Sequence, residues 1–520
     1  MQGRKWFATS LWVLGSLLSV ASAALILFMV LGAVRFPLEL EVRESPIWVQ
    51  ILALRSGINV FIDEEHVFIN MSHGPMDTLL KAGISMCLPF LSSHVVTRIF
   101  VLGFPLVTWT ALWLFLRKRV GHPVVWATLW AAGLYAWMDG LREMLFHNLL
   151  IGRSDATALF FFVLLIVVGE LRVTQNTSLL RRGMLEGLLI GIATLTNTRF
   201  AAAAGAYYLY VLLKTWFLIV PPRHAILKRV AGVVLSLAAL GLFLLVILFK
   251  GDLRSYYLHF FGHFLDPEGF RLIPIAPFEW FPAEIFSDHR TPLLVLWLTV
   301  PLLELWTYRK QRRVQIQRAL STWLPLIALY LVTTVGYYYN RRGGGSYYFD
   351  PWIVWLCIAC LQAWRGYPGR LRLLTGIAIV VVGLATAHWS EIHRQAMDFY
   401  STQSEATQFR RQLETLDKES PILSEDAFFF KQDLRGVTID MGDTVDAFSS
   451  RGFGTKEFRD LVSRYFSDLE SNPPKYVYIG GAPSRTLAQL VGQRYRIHLT
   501  APPNMHTNGP RPTYLYIRNE

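Results

Sequence analysis

Three consecutive acids, Asp63, Glu64 and Glu65, with His66 directly behind them, stand in the segment NVFIDEEHVFIN, shortly after the first long apolar run of the chain. A carboxylate near a bilayer surface can take the proton of an acceptor hydroxyl or amine as a general base. A second carboxylate beside it can hold a divalent metal ion or a partner cation. The stretch NMSHGPMDTLLKAGISMCLPFL adds His73, Asp77 and Lys81. As an ordinary solvated loop, the same residues need no chemistry at all. A further acid, Asp155, follows Arg153 at the mouth of an apolar run in GRSDATALFFF. An ionisable group so close to hydrocarbon is by default a functional candidate. The structural alternative is an Arg–Asp pair, or an arginine reaching back to the interface. Asp139, Arg142 and Glu143 can pair locally in the same way. Asn197 and Arg199, in TLTNTRFAAA, fall at the next turn on the same side and can face the same cavity.

Cations stand in two further loops. The segment 250–292 mixes aromatic residues with Arg254, His259, His263 and Arg271. Its aromatics suit interface anchors, or a lid over a lipid-linked substrate in which arginine or histidine reaches a phosphate. His259 and His263, four apart, share one face if the segment is helical, a spacing compatible with a metal. The segment YYNRRGGGSYYFDP sets Arg341 and Arg342 beside three glycines. These arginines run against the positive-inside rule unless an anion rewards them, either lipid head groups or a phosphate-bearing substrate.

The elements that must position these residues are transmembrane. The chain has 520 residues, 53% of them hydrophobic and only 17% charged, with mean hydropathy +0.35. Repeated apolar stretches of roughly 18–24 residues read as membrane helices. About eleven are expected, near 8–34, 96–116, 124–138, 156–171, 183–197, 200–219, 231–249, 293–307, 320–337, 352–364 and 372–388. The first runs on through ALILFMVLGAV, too long for a cleavable signal peptide. The net charge of +13 does not point to nucleic acid, because the excess lies in alternate short loops. These carry Arg4 and Lys5; Arg117, Lys118 and Arg119; Arg172, Arg181 and Arg182; Arg223, Lys228 and Arg229; Arg309, Lys310, Arg312, Arg313 and Arg318; and Arg365, Arg370 and Arg372. That asymmetry places the N-terminus in the cytoplasm. It turns the loops 35–95, 139–155, 250–292 and 338–351 outward, together with everything after 389. Within the first of them, PIWVQILALRSGI reads as an amphipathic helix on the membrane surface. Cys87 falls in a loop, and Cys357 and Cys360 fall in an apolar span, so neither a disulfide framework nor a zinc pattern is expected.

The expected architecture is therefore an α-helical polytopic membrane protein over residues 1–388, with an extracytoplasmic soluble α/β domain over 389–520. That domain opens with a polar helix, EIHRQAMDFYSTQSEATQFRRQLETL. Strand-like pieces follow, PILSE, GVTID, KYVYIG, YRIHL and TYLYI, separated by the helical stretches TKEFRDLVSRYFSDL and SRTLAQLVGQ. The alternation predicts a largely parallel sheet. YIGGAPS has glycines after a strand but no dinucleotide or P-loop fingerprint, and reads as a turn.

These pieces resemble the polytopic glycosyltransferases of the C-type fold (GT-C), in particular bacterial relatives of the protein O-mannosyltransferases and of the lipid A aminoarabinose transferase. The resemblance rests on Asp63-Glu64 after the first span, on GRSDATALFFF, on GGSYYFDPWIVWL before a late span, and on the closing outer domain. It implies an inverting transfer of a sugar from a polyprenyl-phosphate donor, on the outer face of the plasma (inner) membrane, to an acceptor that is a glycan, a lipid or a protein. It carries Asp63 over as the base, with Glu64 as its companion and Asp155 as a further catalytic acid. Glu65 and His66 depart from the family pattern and leave open which acid is the base. A phosphate leaving group needs cationic stabilisation. Arg341, Arg342 and Arg254 are the candidates, with Arg153, His259, His263 and Tyr347 as further substrate or phosphate ligands. No cofactor is required by the resemblance, and a divalent metal ion is the one the acids leave open. A transporter or flippase of lipid-linked sugars is the alternative. It would call for paired halves or broken helices with charges at the midplane, and no internal repeat is visible. A membrane scaffold whose tail binds a partner would explain the tail but not the acids and arginines on separate loops.

Overall fold

The computed structural model describes residues 44–55, 74–89, 154–171, 178–216, 223–257, 291–307, 319–339, 346–385, 389–417, 422–424, 456–480, 485–500 and 513–519, with scattered positions elsewhere, chiefly within 9–61 and 95–115. In chain order its helices are α1 (Glu44–Arg55), α2 (Pro75–Cys87), α3 (Ser154–Glu170), α4 (Leu179–Thr196), α5 (Phe200–Lys214), α6 (Arg223–Phe243), α7 (Thr291–Thr307), α8 (Leu324–Tyr339), α9 (Asp350–Gly366), α10 (Gly369–Ala385), α11 (Trp389–Glu414), α12 (Lys456–Ser471) and α13 (Arg485–Arg494). Eight of the expected spans coincide with α3 to α10. The segment expected at 124–138 lies outside the described residues.

The helical core is built around α9, which is apolar on all sides and buried on all sides. Trp355, Leu356, Cys357, Ile358, Ala359, Cys360 and Leu361 are all enclosed. Phe162 of α3, Tyr207 and Tyr210 of α5 and Trp297 of α7 belong to the same cluster, with the Tyr207 and Trp355 rings 5.6 Å apart. The close crossing of α4 and α6 is set by small residues. A Cβ added at Gly183 would stand 2.0 Å from the Arg229 carbonyl oxygen, and one at Gly232 would stand 2.3 Å from that of Leu180. One at Gly187 would stand 2.6 Å from the Val233 carbonyl oxygen. Glycines four apart let two backbones meet without side chains between them, the usual device where lipid rather than water surrounds the helices.

The solvent these helices require can be read from α6. Ile226–Leu248, running from α6 through a π-helical turn at Leu244–Leu248, is 23 residues of mean hydropathy 2.8. It is the one helix among the described residues long and apolar enough to cross a membrane by itself. Phe200–Lys214, Leu294–Thr307, Leu320–Gly336 and Asp350–Trp364 are shorter apolar helices. Leu227, Val234, Leu235, Leu242, Phe243, Val246 and Ile247 are each at least half exposed along it, while Arg229 on the same helix is 1% exposed. Apolar surface outside and charge inside is an arrangement that lipid stabilises and water does not.

Arg182 and Arg229, expected in loops, lie instead within α4 and α6 and are buried. Both pair with the enclosed Glu186: Arg229 Nε donates at 2.7 Å and Arg182 Nε at 3.2 Å. Arg182 Nη2 also donates to the carbonyls of Val168, Gly169 and Leu171, which closes the C-terminus of α3. Beside them Glu170 accepts from Lys214 at 2.6 Å. A buried charge survives only when paired and hydrogen-bonded, and these arginines obey that rule. They can enter the helices because Glu186, one turn on from Arg182, supplies a counter-charge to both.

Cys87, expected in a loop, is the exposed last residue of α2. The segment is helical because Pro75 occupies the first turn, where its missing N–H costs nothing, and because Asp77 and Lys81 form a buried ion pair one turn apart. In the tail, α11 is tied to the N-terminal helical segment by Tyr400, whose ring stacks on Phe28 at 4.7 Å and whose hydroxyl donates to the Phe28 carbonyl at 3.1 Å. Four strands follow: β1 (Ile422–Ser424), β2 (Tyr476–Gly480), β3 (Tyr495–Thr500) and β4 (Thr513–Arg518). The sheet order is β1-β2-β4-β3. Among the described strands only β1 and β2 pair in parallel, and β4 is antiparallel to both its neighbours, so over these strands the expectation of a largely parallel sheet is corrected. The strands that precede α12, precede α13 and follow α13 do share one direction, as helical crossovers dictate. The final strand inserts between two of them in the opposite sense. GVTID and the turn expected at YIGGAPS fall mostly or wholly outside the described residues.

Candidate functional site

Asp155 is the second residue of α3 and is 4% exposed. Its surroundings are made by the turn joining α4 to α5, where one asparagine does the joining. Asn197 caps α4 in an extended conformation, its backbone N–H still donating to the Ala193 carbonyl. Its side-chain oxygen accepts the Arg199 N–H at 3.2 Å. Its side-chain nitrogen donates to Asp155 Oδ1 at 2.8 Å and to Ser154 Oγ at 3.3 Å. An amide supplies donor and acceptor together, and no other side chain of this size has both groups in a fixed plane. The same turn delivers Arg199, whose Nη1 stands 3.9 Å from Asp155 Oδ1 and whose guanidinium lies 4.7 Å over the centre of the Tyr348 ring. Tyr348 comes from the 3-10 turn Ser346–Phe349 that leads into α9. An acid, an amide, an arginine and a tyrosine thus meet from three distant segments at one end of the helices.

The first loop returns to that same end. Gly74 N–H donates to the Thr196 carbonyl at 3.0 Å. A Cβ on Gly74 would lie 1.8 Å from the Leu195 carbonyl oxygen, so only glycine permits this approach. From there α2 packs against α1 through a polar seam. Thr78 donates to Gln50 at 2.5 Å and Arg55 to Ser85 at 3.0 Å, both beside the Asp77–Lys81 pair. At its other side the loop is fixed by Asn59, whose side-chain nitrogen donates to the Leu248 carbonyl at 2.5 Å. Phe61 packs there against Leu244, Leu248 and Phe249. The π-helical turn leaves backbone acceptors exposed at such a place, and Asn59 uses one. Beyond it Lys250 and Gly251 take positive φ. Asp252 then caps the short helix Leu253–Tyr257, accepting the N–H groups of Arg254 and Ser255 and the Ser255 hydroxyl. Those bonds, led by the Ser255 hydroxyl, hold the Asp252 carboxyl below the usual carboxylate range.

Of the residues singled out from the sequence, Asp155, Asn197 and Arg199 share this meeting point, and Arg254 is exposed on the turn after α6. Tyr347 belongs to the 3-10 turn beside Tyr348. Asp63, Glu64, Arg153, His259, His263, Arg341 and Arg342 lie outside the described residues. Among the described residues no three His, Cys, Asp or Glu side chains gather as metal ligands. Tyr348 and Ser154 were not picked out in advance. Tyr348 is adjacent to a candidate and Ser154 to Asp155, but nothing in the spacing separates them from their neighbours.

No family model matches the chain, and no curated relative matches it in sequence. Solved structures do match in shape. ArnT from Cupriavidus metallidurans in the apo state superposes with a TM-score of 0.61 at 14% identity, over 98% of this chain and 98% of that one. The chain has the ArnT fold. The same protein bound to undecaprenyl phosphate gives 0.58 at 12% identity, over 95% and 96% of the two chains. The match runs nearly end to end, so the ArnT fold takes in the α/β tail as well as the helical core.

Proposed function

We propose that the chain is an integral membrane glycosyltransferase that moves a sugar from a polyprenyl-phosphate donor to an acceptor on the extracytoplasmic face. In this reading the N-terminus is cytoplasmic, residues 1–388 form the transferase domain in the membrane, and residues 389–520 form the outer soluble domain. The observation that carries the reading is the junction of Gly74 with the Thr196–Arg199 turn. It brings the return of the loop that bears Asp63 and Glu64 to the end of α3 where Asp155 and Arg199 meet. The ArnT fold supports it, since that protein has been solved with undecaprenyl phosphate.

The chemistry is a single displacement at the anomeric carbon. The acceptor oxygen or nitrogen attacks, the bond from that carbon to the phosphate oxygen breaks, and polyprenyl phosphate leaves. Asp63 takes the acceptor proton, with Glu64 beside it. A cation balances the charge that develops on the departing phosphate. Asp63→Asn keeps the shape and removes the base. The purified variant is expected to fold and to lose transfer from polyprenyl-phosphate sugars. Full activity would exclude Asp63 and move the role to Glu64 or Glu65.

A further inference from the structure

The segment that carries Asp63, Glu64 and Glu65 leaves one fixed point and returns to another. Gly74 fixes the return, through its bond to the Thr196 carbonyl. Asn59 fixes the departure, four residues before Asp63. The chain comes off α1 through Gly57, which takes a φ of 79° and donates its N–H to the Leu54 carbonyl at 3.2 Å. Asn59 then uses both polar atoms of one side chain. Its Oδ1 accepts the Phe61 N–H at 3.1 Å, the local turn that asparagine favours. Its Nδ2 donates to the Leu248 carbonyl at 2.5 Å, 189 residues away in the chain. Phe61 passes from that turn into the cluster of Ala53, Leu244, Leu248 and Phe249, with its ring 6.0 Å from that of Phe249.

The outer end of α6 is shaped to receive this contact. After the π-helical turn Leu244–Leu248, the N–H groups of Phe249, Gly251 and Asp252 turn back to the carbonyls of Leu244, Leu245 and Phe249. The Leu248 carbonyl is left to the first loop. Lys250 takes a φ of 49° directly afterwards, a conformation that a residue with a side chain keeps only where its surroundings hold it. Such π-helical turns inside regular helices recur at functional sites. A helix-end carbonyl needs only some donor, and water serves. An asparagine that also turns its own chain sets the direction of the next residues as well as their place.

We propose that Asn59 is the positioning residue of the acidic segment, its two bonds setting where Asp63 stands against the outer end of α6. This rests on the glycosyltransferase reading and adds a residue to that site. Asp63 is two residues on from Phe61, a reach of at most about 7 Å, so a shift of Phe61 is passed on to the carboxylate. Asn59 acts through Asp63 and makes no contact with the donor. Loss of its bond to Leu248 therefore slows removal of the acceptor proton and leaves the hold on the donor unchanged.

Asn59→Asp separates the two bonds. An ionised carboxylate still accepts the Phe61 N–H but has no proton to donate to the Leu248 carbonyl. The full chain in nanodiscs is compared with the variant in three measurements. The first is kcat and KM for release of undecaprenyl phosphate from hexose, pentose and amino-sugar donors, with a cell-envelope extract supplying the acceptor. The second is binding of undecaprenyl phosphate alone, and the third is amide exchange of peptides spanning 58–73. The variant should lose about 10- to 100-fold in kcat, keep KM for the donor and the binding of undecaprenyl phosphate within twofold, and exchange faster across 62–73. A kcat within threefold of wild type, a fall in kcat matched by an equal loss of donor binding, or unchanged exchange would each overturn the assignment. If Asn59→Asp does not fold, Asn59→Ser takes its place with the same outcomes, since its hydroxyl can accept from the Phe61 N–H but is too short to keep the bond to Leu248. A wild type that releases undecaprenyl phosphate from none of the donors would instead overturn the glycosyltransferase reading. Faster exchange in the variant would then mark the failure as that reading's and not the anchor's.

Discussion

Gly74→Ala is the smallest change that should disconnect the first loop from the rest of the site. The added Cβ would begin 1.8 Å from the Leu195 carbonyl oxygen, a backbone atom, so no side chain can swing aside. Reaching even a 3.0 Å contact requires the start of α2 to withdraw by roughly 1.2 Å. The withdrawal stretches the 3.0 Å bond from Gly74 N–H to the Thr196 carbonyl, a net loss of about 0.5–1.5 kcal/mol. Overpacking adds about 1–3 kcal/mol. That strain is local, because α2 rests on α1 and the end of α4, away from the core around α9. The protein should fold with a modestly lowered unfolding temperature. A displacement of about 1 Å in a positioning element can cost on the order of 100-fold in rate. Turnover of a polyprenyl-phosphate sugar, followed as release of polyprenyl phosphate into the lipid phase, should therefore fall by about 10- to 100-fold. Gly74→Ala with turnover within threefold of wild type would refute the coupling between this junction and the chemistry.

The other expectations concern separate parts of the molecule. Glu186→Gln leaves Arg182 and Arg229 buried without their counter-ion and should destabilise the chain by about 3–5 kcal/mol, read as loss of folded, monodisperse protein in detergent. Exchanging Arg341 and Arg342 together for glutamine should lower donor affinity or turnover about tenfold if they grip phosphate. A result within twofold would make them interface anchors attracted to anionic head groups. The Asp252 cap titrates below the ordinary carboxylate value of 3.8, so its stabilising effect is complete above that value and is lost as pH falls through the lowered one. Ser255→Ala removes the leading cause of the shift and should move the loss of the cap to higher pH, visible in amide exchange at Arg254.

Much of this arrangement is legible in the residues, and the reasons for the rest are physical. Apolar runs announced the helices from α3 to α10, because length and hydropathy suffice where lipid is the solvent. Asp155 announced itself as an acid at the edge of such a run. Asn197 and Arg199 were legible as residues of the next turn on the same side, able to face the same cavity. Their importance lies in a donor–acceptor geometry that appears once α3 and α4 are side by side. The Glu186 network was missed because its two arginines read as loop charges, and α2 because its polar residues are buried as pairs. Strand direction was readable wherever a helix connects two strands. The insertion of β4 between β2 and β3 is a long-range choice that local alternation does not encode.

The most direct measurement is a density map of the chain with undecaprenyl phosphate in a lipid nanodisc. Phosphate density is expected beside the Thr196–Arg199 turn, with the Asp63 carboxylate within about 15 Å of Asp155, the span of one ordinary ligand pocket. A larger separation, or a phosphate bound at the other end of α3 beside Glu170 and Glu186, would contradict it.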